Sequence, residues 1–477
     1  VSKVASDVDI IPFNNDLATL HRAVTERVFC VKSSDSFCSP PRPSEGYFDA
    51  TMSRVLECLK PLLPSTAPCS HQEFVDAYRG RKKQNYQTAL DEIINGRSNL
   101  ERDSHLNVFV KFEKTDHTTK LNPVPRVISP RDPKYNIRVG RYLKPLEHRL
   151  FKSLGGLFGH RTVIKGLNAA RSAEVLKEKW DMFRDPVAVG LDASRFDQHV
   201  SLQALRWEHQ VYLDCFPQKK HRTRLANLLK LQEVNNATGY TPDGKLSYTV
   251  KGVRMSGDMN TSLGNCVLMC SMIKAYSLER SVNLQLANNG DDCVVFMERC
   301  DLGRFSDGLY EWFLKLGFNM TIEKPVFEFP QVEFCQTKPI FDGESWIMCR
   351  NPITAIVKDS VMLKPFSNDK EFKGWLDAVG TGGLAMAGQI PIFQEVYRAY
   401  QRSGQQRKIQ DDLLPWSFRN LSKGMNRSYG PVHDQTRLSF YTAFDITPDE
   451  QICLEAYYSK LMISSVPGEY SPRTVFA

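Results

Sequence analysis

Absences narrow this sequence before any motif does. No apolar run approaches the roughly 20 residues that a bilayer-spanning helix needs, and the opening VSKVASDVDI lacks the basic-then-apolar form of a signal peptide. The 12 cysteines are scattered from Cys30 to Cys453 with no CxxC pair and no Cys/His array at zinc spacing. A disulfide framework and a structural zinc motif are therefore not signalled, and the expectation is reduced thiols of a cytosolic protein. No internal repeat is visible, which sets solenoids and propellers aside. The first residue is Val rather than Met, so the chain reads as a trimmed or downstream part of a longer product, with any membrane anchor elsewhere.

What is present is a globular composition. The 477 residues are 42% hydrophobic and 24% charged, too long for one simple core, so two or three packed subdomains are expected. Lys and Arg number 62 against 54 Asp and Glu, a net charge of +8. Such a balance suits a polyanion, since each neutralised phosphate releases counterions. It is also ordinary solubility dressing for a large domain, and it discriminates nothing alone.

Along the chain, SSDSFCSPPRPSEG (33–46) reads as an irregular linker or surface strap because of its prolines and serines. From Gln72 the pattern is helical and basic, through Arg79, Arg81, Lys82 and Lys83, and LNVFVKFEK (106–114) alternates as a strand does. PVAVGLDASRFDQHV (186–200) reads as an apolar strand ending at Asp192 and turning into a helix. SLGNCVLMCSMIKAYSL (262–278) has helical length and spacing, and LQLANNGDDCVVFME forms a hairpin pattern with an acidic tip. After Arg350 the sequence is mainly helical, interrupted by VGTGGLAMAGQIP.

Chemistry concentrates at three places. Gly290, Asp291 and Asp292 sit where a tight turn should fall, Gly supplying backbone freedom. Alone, GDD is a plain turn. Asp192 and Asp197 lie at one strand-helix junction, where the bland reading is an N-cap and a solvated helix residue. If that strand lies beside the hairpin, three carboxylates converge, and their repulsion calls for divalent cations shared with substrate phosphates. A site of that kind can align a 3′-hydroxyl for in-line displacement. In RMSGDMNTSLGN, the residues Ser256, Gly257, Thr261 and Asn265 form a loop opening into a helix, either as a simple N-cap or as a polar face aimed at a sugar, since Thr261 and Asn265 stand at i and i+4.

The order DASRFD, SGDMNTSLGN, GDD resembles the palm motifs of viral RNA-dependent RNA polymerases, in wording close to the tombusvirus and luteovirus group of plant viruses. FVKFEK and PRVISPRDPKYN are similar to the basic fingers motif, GFNMTIEKP to the fourth palm motif and VEFCQTKP to the fifth, so that the likeness covers about residues 72 to 400. The resemblance implies an α+β right-hand polymerase, with an antiparallel-sheet palm carrying the GDD hairpin and a mainly helical thumb. It would divide the chain into an N-terminal extension (1–70) strapping fingers to thumb, fingers (71–185), palm (186–200), a fingers insertion (201–250), palm again (251–345), then thumb and tail (346–477). Asp192, Asp291 and Asp292 would hold two Mg²⁺ or Mn²⁺ ions. Asp197, Ser256, Thr261 and Asn265, with Gly257 in the same loop, would sense the ribose 2′-hydroxyl. Lys111, Lys114 and Arg126 would grip the triphosphate, where guanidinium gives bidentate contact and ammonium a point charge. Lys324 would be the general acid for pyrophosphate.

The same resemblance puts Arg79, Arg81, Lys82 and Lys83 on the template path and Cys335 with Gln336 under the priming end. A solvated helix face and a half-buried strand are the competing readings. Expected partners are RNA template and product, ribonucleoside triphosphates, a viral auxiliary replication protein and host factors, and not DNA. The place of action would be host cytoplasm, at membrane-bound replication complexes reached through a part or partner outside this chain. A reverse transcriptase would usually carry an aromatic gate where Asp197 stands, and a carboxylate there favours ribonucleotides. A noncatalytic RNA-binding scaffold would have little reason to keep every carboxylate.

Overall fold

The computed structural model describes residues 1–5, 7, 9–33, 36–119, 121–406, 421–465 and 472–475. Ser34 and Asp35 of the expected strap, and residues 407–420, 466–471 and 476–477 of the expected C-terminal region, lie outside the described residues. The architecture is α+β. In chain order its main elements are α1 (Pro133–Gly156), α2 (Ala169–Trp180), β1 (Pro186–Ala193), α3 (Leu202–Asp214), β2 (Val234–Thr241) and β3 (Gly244–Lys251). There follow α4 (Thr261–Arg280), β4 (Leu284–Asn289), β5 (Asp292–Glu298), β6 (Met320–Ile322), α5 (Asp369–Ala387) and α6 (Phe393–Ser403).

One four-stranded antiparallel sheet, in the order β4-β5-β1-β6, organises the centre. The two-residue period of a strand divides its side chains between two cores. Val187, Val189 and Leu191 of β1 join Val295 and Met297 of β5 under Leu143 of α1 and Val267 of α4. On the other face, Ala188, Val294 and Phe296 pack with Ala173 and Leu176 of α2 and with residues of α5 and α6. Fully burying three such aliphatics on β1 contributes about 5–9 kcal/mol. Two carboxylates 4 Å apart repel by only about 4 kcal/mol at an effective dielectric of 20. The sheet can therefore carry a crowded acidic rim. Helix α1 starts cleanly because Asp132 accepts from the Lys134 N–H and Pro133 fills the first turn.

Flanking this sheet, β2 and β3 form a hairpin extended by Leu106–Asn107 pairing parallel to β2, and Phe109–Val110 pairs with Val127–Ile128. The N-terminal residues reach both halves of the chain. Ser2–Lys3 pair with Val361–Met362, Ile10 bridges to Asp116, and Phe13 bridges to Arg473.

Four local expectations differ from the structure. Within 33–46, Ser36–Cys38 pairs with Val31–Ser33 as a short hairpin, since its alternation survives between the serines and the prolines. The basic helical stretch after Gln72 is two helices, His71–Asp76 and Gly80–Ile94, broken where Gly80 takes a φ of 56°. LNVFVKFEK is strand only at Leu106–Asn107 and Phe109–Val110, leaving Lys111 to Lys114 without a ladder. VGTGGLAMAGQIP interrupts the helical region only at its last four residues, between α5 and α6, and the preceding VGTGGLAMA breaks no helix. It lies inside α5, because Gly380 and Gly383 let α6 approach so closely that a β-carbon on Gly383 would overlap the Tyr397 ring. That packing outweighs the helix cost of about 1 kcal/mol per glycine.

Candidate active site

The β4-β5 hairpin closes through a two-residue turn, Gly290–Asp291, with Asn289 paired to Asp292. Gly290 has a φ of 94°, the left-handed value that the first position of such a turn demands. The Asn288 side chain staples the turn, its Nδ2 donating to the Gly290 carbonyl at 2.7 Å and its Oδ1 accepting from the Gly290 N–H at 3.1 Å. Asp291 is left exposed at the apex. Cys293 pairs with Leu191, so one further step of the register sets Asp192 opposite Asp292 on the same face. On its other side Asp192 pairs with Thr321 of β6.

These acids feel one another. Burial and then Asp291 push the Asp292 carboxyl above its ordinary range, with Asp192 and Glu333 adding to the effect. Glu323, just past β6, is raised by burial and by Glu333, Asp192 and Asp292. Cys335 and Gln336, both with positive φ (52° and 59°), make a tight turn between the bridged residues Phe334 and Thr337. That turn brings the Cys335 sulfur to 3.2 Å from Asn289 Nδ2. Burial and the nearby Asp292 hold the Cys335 thiol neutral, pushed up to about 12.

Beside the acids lies a cavity of about 120 Å³ lined by Asp197, Ser256, Arg126 and Asp291 together with Arg27 and Arg195. Asp197 accepts from Asn265 Nδ2 at 2.8 Å. Burial raises its carboxyl, against the pull of that hydrogen bond and of Arg254. Thr261 does not share this task, since its hydroxyl donates to the Met255 carbonyl at 2.8 Å and braces the loop instead. Gly257, with a φ of 126°, lets that loop lie against Ser129 and Pro130. Asp258 forms a buried ion pair with Arg131 at 2.6 Å.

An adjoining cavity of about 650 Å³ is bounded by Lys111, Lys114, Arg126, Arg27, Glu333 and Gln336. Lys111 and Arg126 share Glu113, at 2.7 and 3.5 Å. Lys114 donates to the Lys358 carbonyl, and burial lowers it to about 8. Two expected groups stand apart. Lys324 is exposed with no hydrogen-bond or ion-pair partner among the described residues. Arg79, Arg81 and Lys82 are exposed at the start of the Gly80–Ile94 helix, and Lys83 pairs with Asp76 at 2.8 Å. From that helix the Tyr86 hydroxyl comes to 3.8 Å from the Met259 sulfur, in the loop that leads into α4.

The family model described as viral RNA dependent RNA polymerase matches residues 1–466. The chain belongs to that family. Among its relatives, the RNA-directed RNA polymerase of Oat chlorotic stunt virus (isolate United Kingdom) is 55% identical, over all of this chain and 66% of the relative. That of Turnip crinkle virus is 41% identical over 96% of the chain and 59% of the relative. That of Tobacco necrosis virus (strain A) is 42% identical over 93% and 61%. The chain thus spans between 59% and 66% of the length of these relatives.

As a member of the viral RNA polymerase family, the chain carries functional candidates that sequence reasoning missed. Arg27 comes from the N-terminal segment and lines both cavities, its guanidinium lowered to about 10 by burial and by crowding with Arg195 and Arg126. Nothing local marks it. Glu208 offered a signal, for it falls on the apolar face of α3 with Ala204, Val211 and Tyr212, where a charge needs a buried partner. Among the described residues no three acid, thiol or imidazole groups are close enough to enclose an ion by themselves. The donor set still fits hard cations that arrive with phosphate, because Asp192 and Asp292 are adjacent, repel one another and bear only oxygen ligands. Among the described residues no helix is long and apolar enough to cross a membrane.

Proposed function

We propose that this chain copies an RNA template into complementary RNA, with β1, β4, β5 and β6 as the palm of a right-handed polymerase. The fingers would comprise 71–185 and 201–250, the remaining palm 251–345, and the thumb 346–477. The observation that carries the reading is the register setting Asp192 opposite Asp292, with Asp291 at the turn and the Asp197–Ser256–Arg126 cavity alongside.

In this reading the three acids at the strand ends hold two Mg²⁺ or Mn²⁺ ions, which when bound neutralise phosphate charge and lower the pKa of a 3′-hydroxyl. The chain's own groups do the rest. Asp197 and Asn265 offer an acceptor and a donor at the sugar, matching a 2′-hydroxyl that can do both. Arg126, Lys111 and Arg27 supply cations for the triphosphate, and Glu113 holds Lys111 and Arg126 in place until it arrives. Gln336 lines this space, with Cys335 beside it in the same turn, and the two would support the priming end. Lys114, tied to Lys358, serves better as a strut between fingers and thumb than as a phosphate ligand. Lys324 would need to turn inward to protonate pyrophosphate. Arg79, Arg81, Lys82 and Lys83 would guide template along the fingers. Primer-independent initiation, an auxiliary viral protein, host factors and recruitment to membranes complete the proposal.

A primer-free extension assay on a heteropolymeric RNA, with magnesium or manganese and either UTP or dTTP, tests it. RNA product from UTP is expected; preference for dTTP, or no product with either, sinks it. A second expectation concerns the metals. Manganese at a hundredfold excess over its Kd should stabilise the metal-free protein by about 2.7 kcal/mol. In Asp192→Asn most of that thermal shift should vanish. The metal-free melting temperature of Asp292→Asn should rise, since one repelling charge is gone. An unchanged manganese shift in Asp192→Asn would remove that residue from the ion site.

A further inference from the structure

We propose that the buried Glu208–Arg254 pair is a positioning device that fixes the Asn265 carboxamide, and through it the Asp197 carboxylate, for recognition of a ribonucleotide sugar. The inference rests on reading Asp197 and Asn265 as the sugar-facing pair.

Glu208 is 0% and Arg254 3% exposed, so neither charge is held for solubility. A buried ion pair need only satisfy itself. This one does more, because the guanidinium is shared. Its two terminal nitrogens bond Glu208, Nη1 to Oε1 at 3.1 Å and Nη2 to Oε2. Its Nε turns the other way and donates to Asn265 Oδ1 at 3.1 Å. A guanidinium has donors and no acceptor. The Asn265 oxygen must therefore face Arg254, and the amide nitrogen is left to donate to Asp197 Oδ1, as it does at 2.8 Å. The carboxamide cannot flip without setting donor against donor.

The main chain adds a second tie, the Arg254 N–H donating to the Asp197 carbonyl at 2.9 Å. One residue thus holds the Asp197 backbone directly and its side chain through Asn265. Glu208 is anchored in turn by the Tyr212 hydroxyl at 2.6 Å and by Asn260 Nδ2 at 2.9 Å, and Asn260 accepts from Gln232 at 3.0 Å. The origin of the arrangement is therefore α3, outside the motifs that carry the chemistry. Arginine is required because a lysine ammonium is a point donor that cannot span Glu208 and Asn265 with fixed angles.

The test is the ratio of kcat/KM for UTP to kcat/KM for dTTP on one RNA template, measured in Arg254→Lys and in Glu208→Asp. The second variant keeps the charge balance and draws the carboxylate back by one methylene, so it carries the test if the first does not fold. The ratio is expected to fall at least about tenfold in the folded variant, since a site built to bond a hydroxyl discriminates through groups held in place. A wild-type ratio in a folded variant overturns the inference, and so does an equal loss with both nucleotides, which is what a purely structural pair would give. Absence of UTP incorporation by the unaltered chain would instead defeat the polymerase reading itself, before any variant is made.

Discussion

Asp291→Ala is expected to abolish nucleotide incorporation, by about a thousandfold or more, the scale on which removing a preorganised polar group at the reacting atoms acts. RNA affinity should stay within a few fold. The two effects separate because of where Asp291 stands. It is exposed at the apex of the Gly290–Asp291 turn, and its carboxylate accepts no hydrogen bond among the described residues. The turn is held instead by Asn288 and by the strand pairing of β4 with β5. Removing the side chain therefore leaves the hairpin intact and relieves repulsion on Asp292. Grip on the RNA backbone comes from cations elsewhere, which position the strand without reading it. Parallel extension and fluorescence-anisotropy measurements decide the matter. Simultaneous loss of binding and synthesis would mean damage to the fold, and retained synthesis would remove Asp291 from the catalytic centre.

The largest effect on stability is expected from Gly264→Ala. In an ordinary helix that change is favourable by about 1 kcal/mol. Here a β-carbon would overlap both the Glu208 carboxylate and the Arg254 guanidinium, which pack against the bare backbone of α4. Forcing that buried pair apart leaves uncompensated charge, a cost of about 3–5 kcal/mol, so the sign reverses. Urea unfolding should give a lower midpoint with an unchanged slope. A midpoint equal to or above that of the wild type would mean that the pair moves aside freely, contrary to its burial and its bonds to Tyr212 and Asn260.

Legibility varied with sequence distance. The strand ending at Asp192, the helix from Thr261 and the hairpin around Gly290 were each readable from a window of a dozen residues, because their patterning and turn chemistry are local. Local reading also misled. It broke α5 at its glycines, whose use was visible only once Tyr397 of α6 lay against them. It treated Thr261 and Asn265 as equals on one helical face, whereas the first braces the Met255 carbonyl and the second meets Asp197. Glu333 bears on the Asp292 carboxyl, and the Glu323 carboxyl is raised by burial and by Glu333, Asp192 and Asp292, yet nothing in the local pattern around either glutamate signals it.

By itself the sequence determined the strand ending at Asp192, the hairpin around Gly290 and the helix from Thr261, and it named the acids at the strand ends, since side-chain period and backbone sterics act within a few residues. Only the tertiary structure decided which charges would meet: Arg27 with Arg126 across the N-terminal segment, Glu208 with Arg254, Asp192 with Asp292. The physical reason is that pairing of charges depends on distance in space and on the burial that strengthens it, and neither is fixed until the separate cores of the sheet have closed.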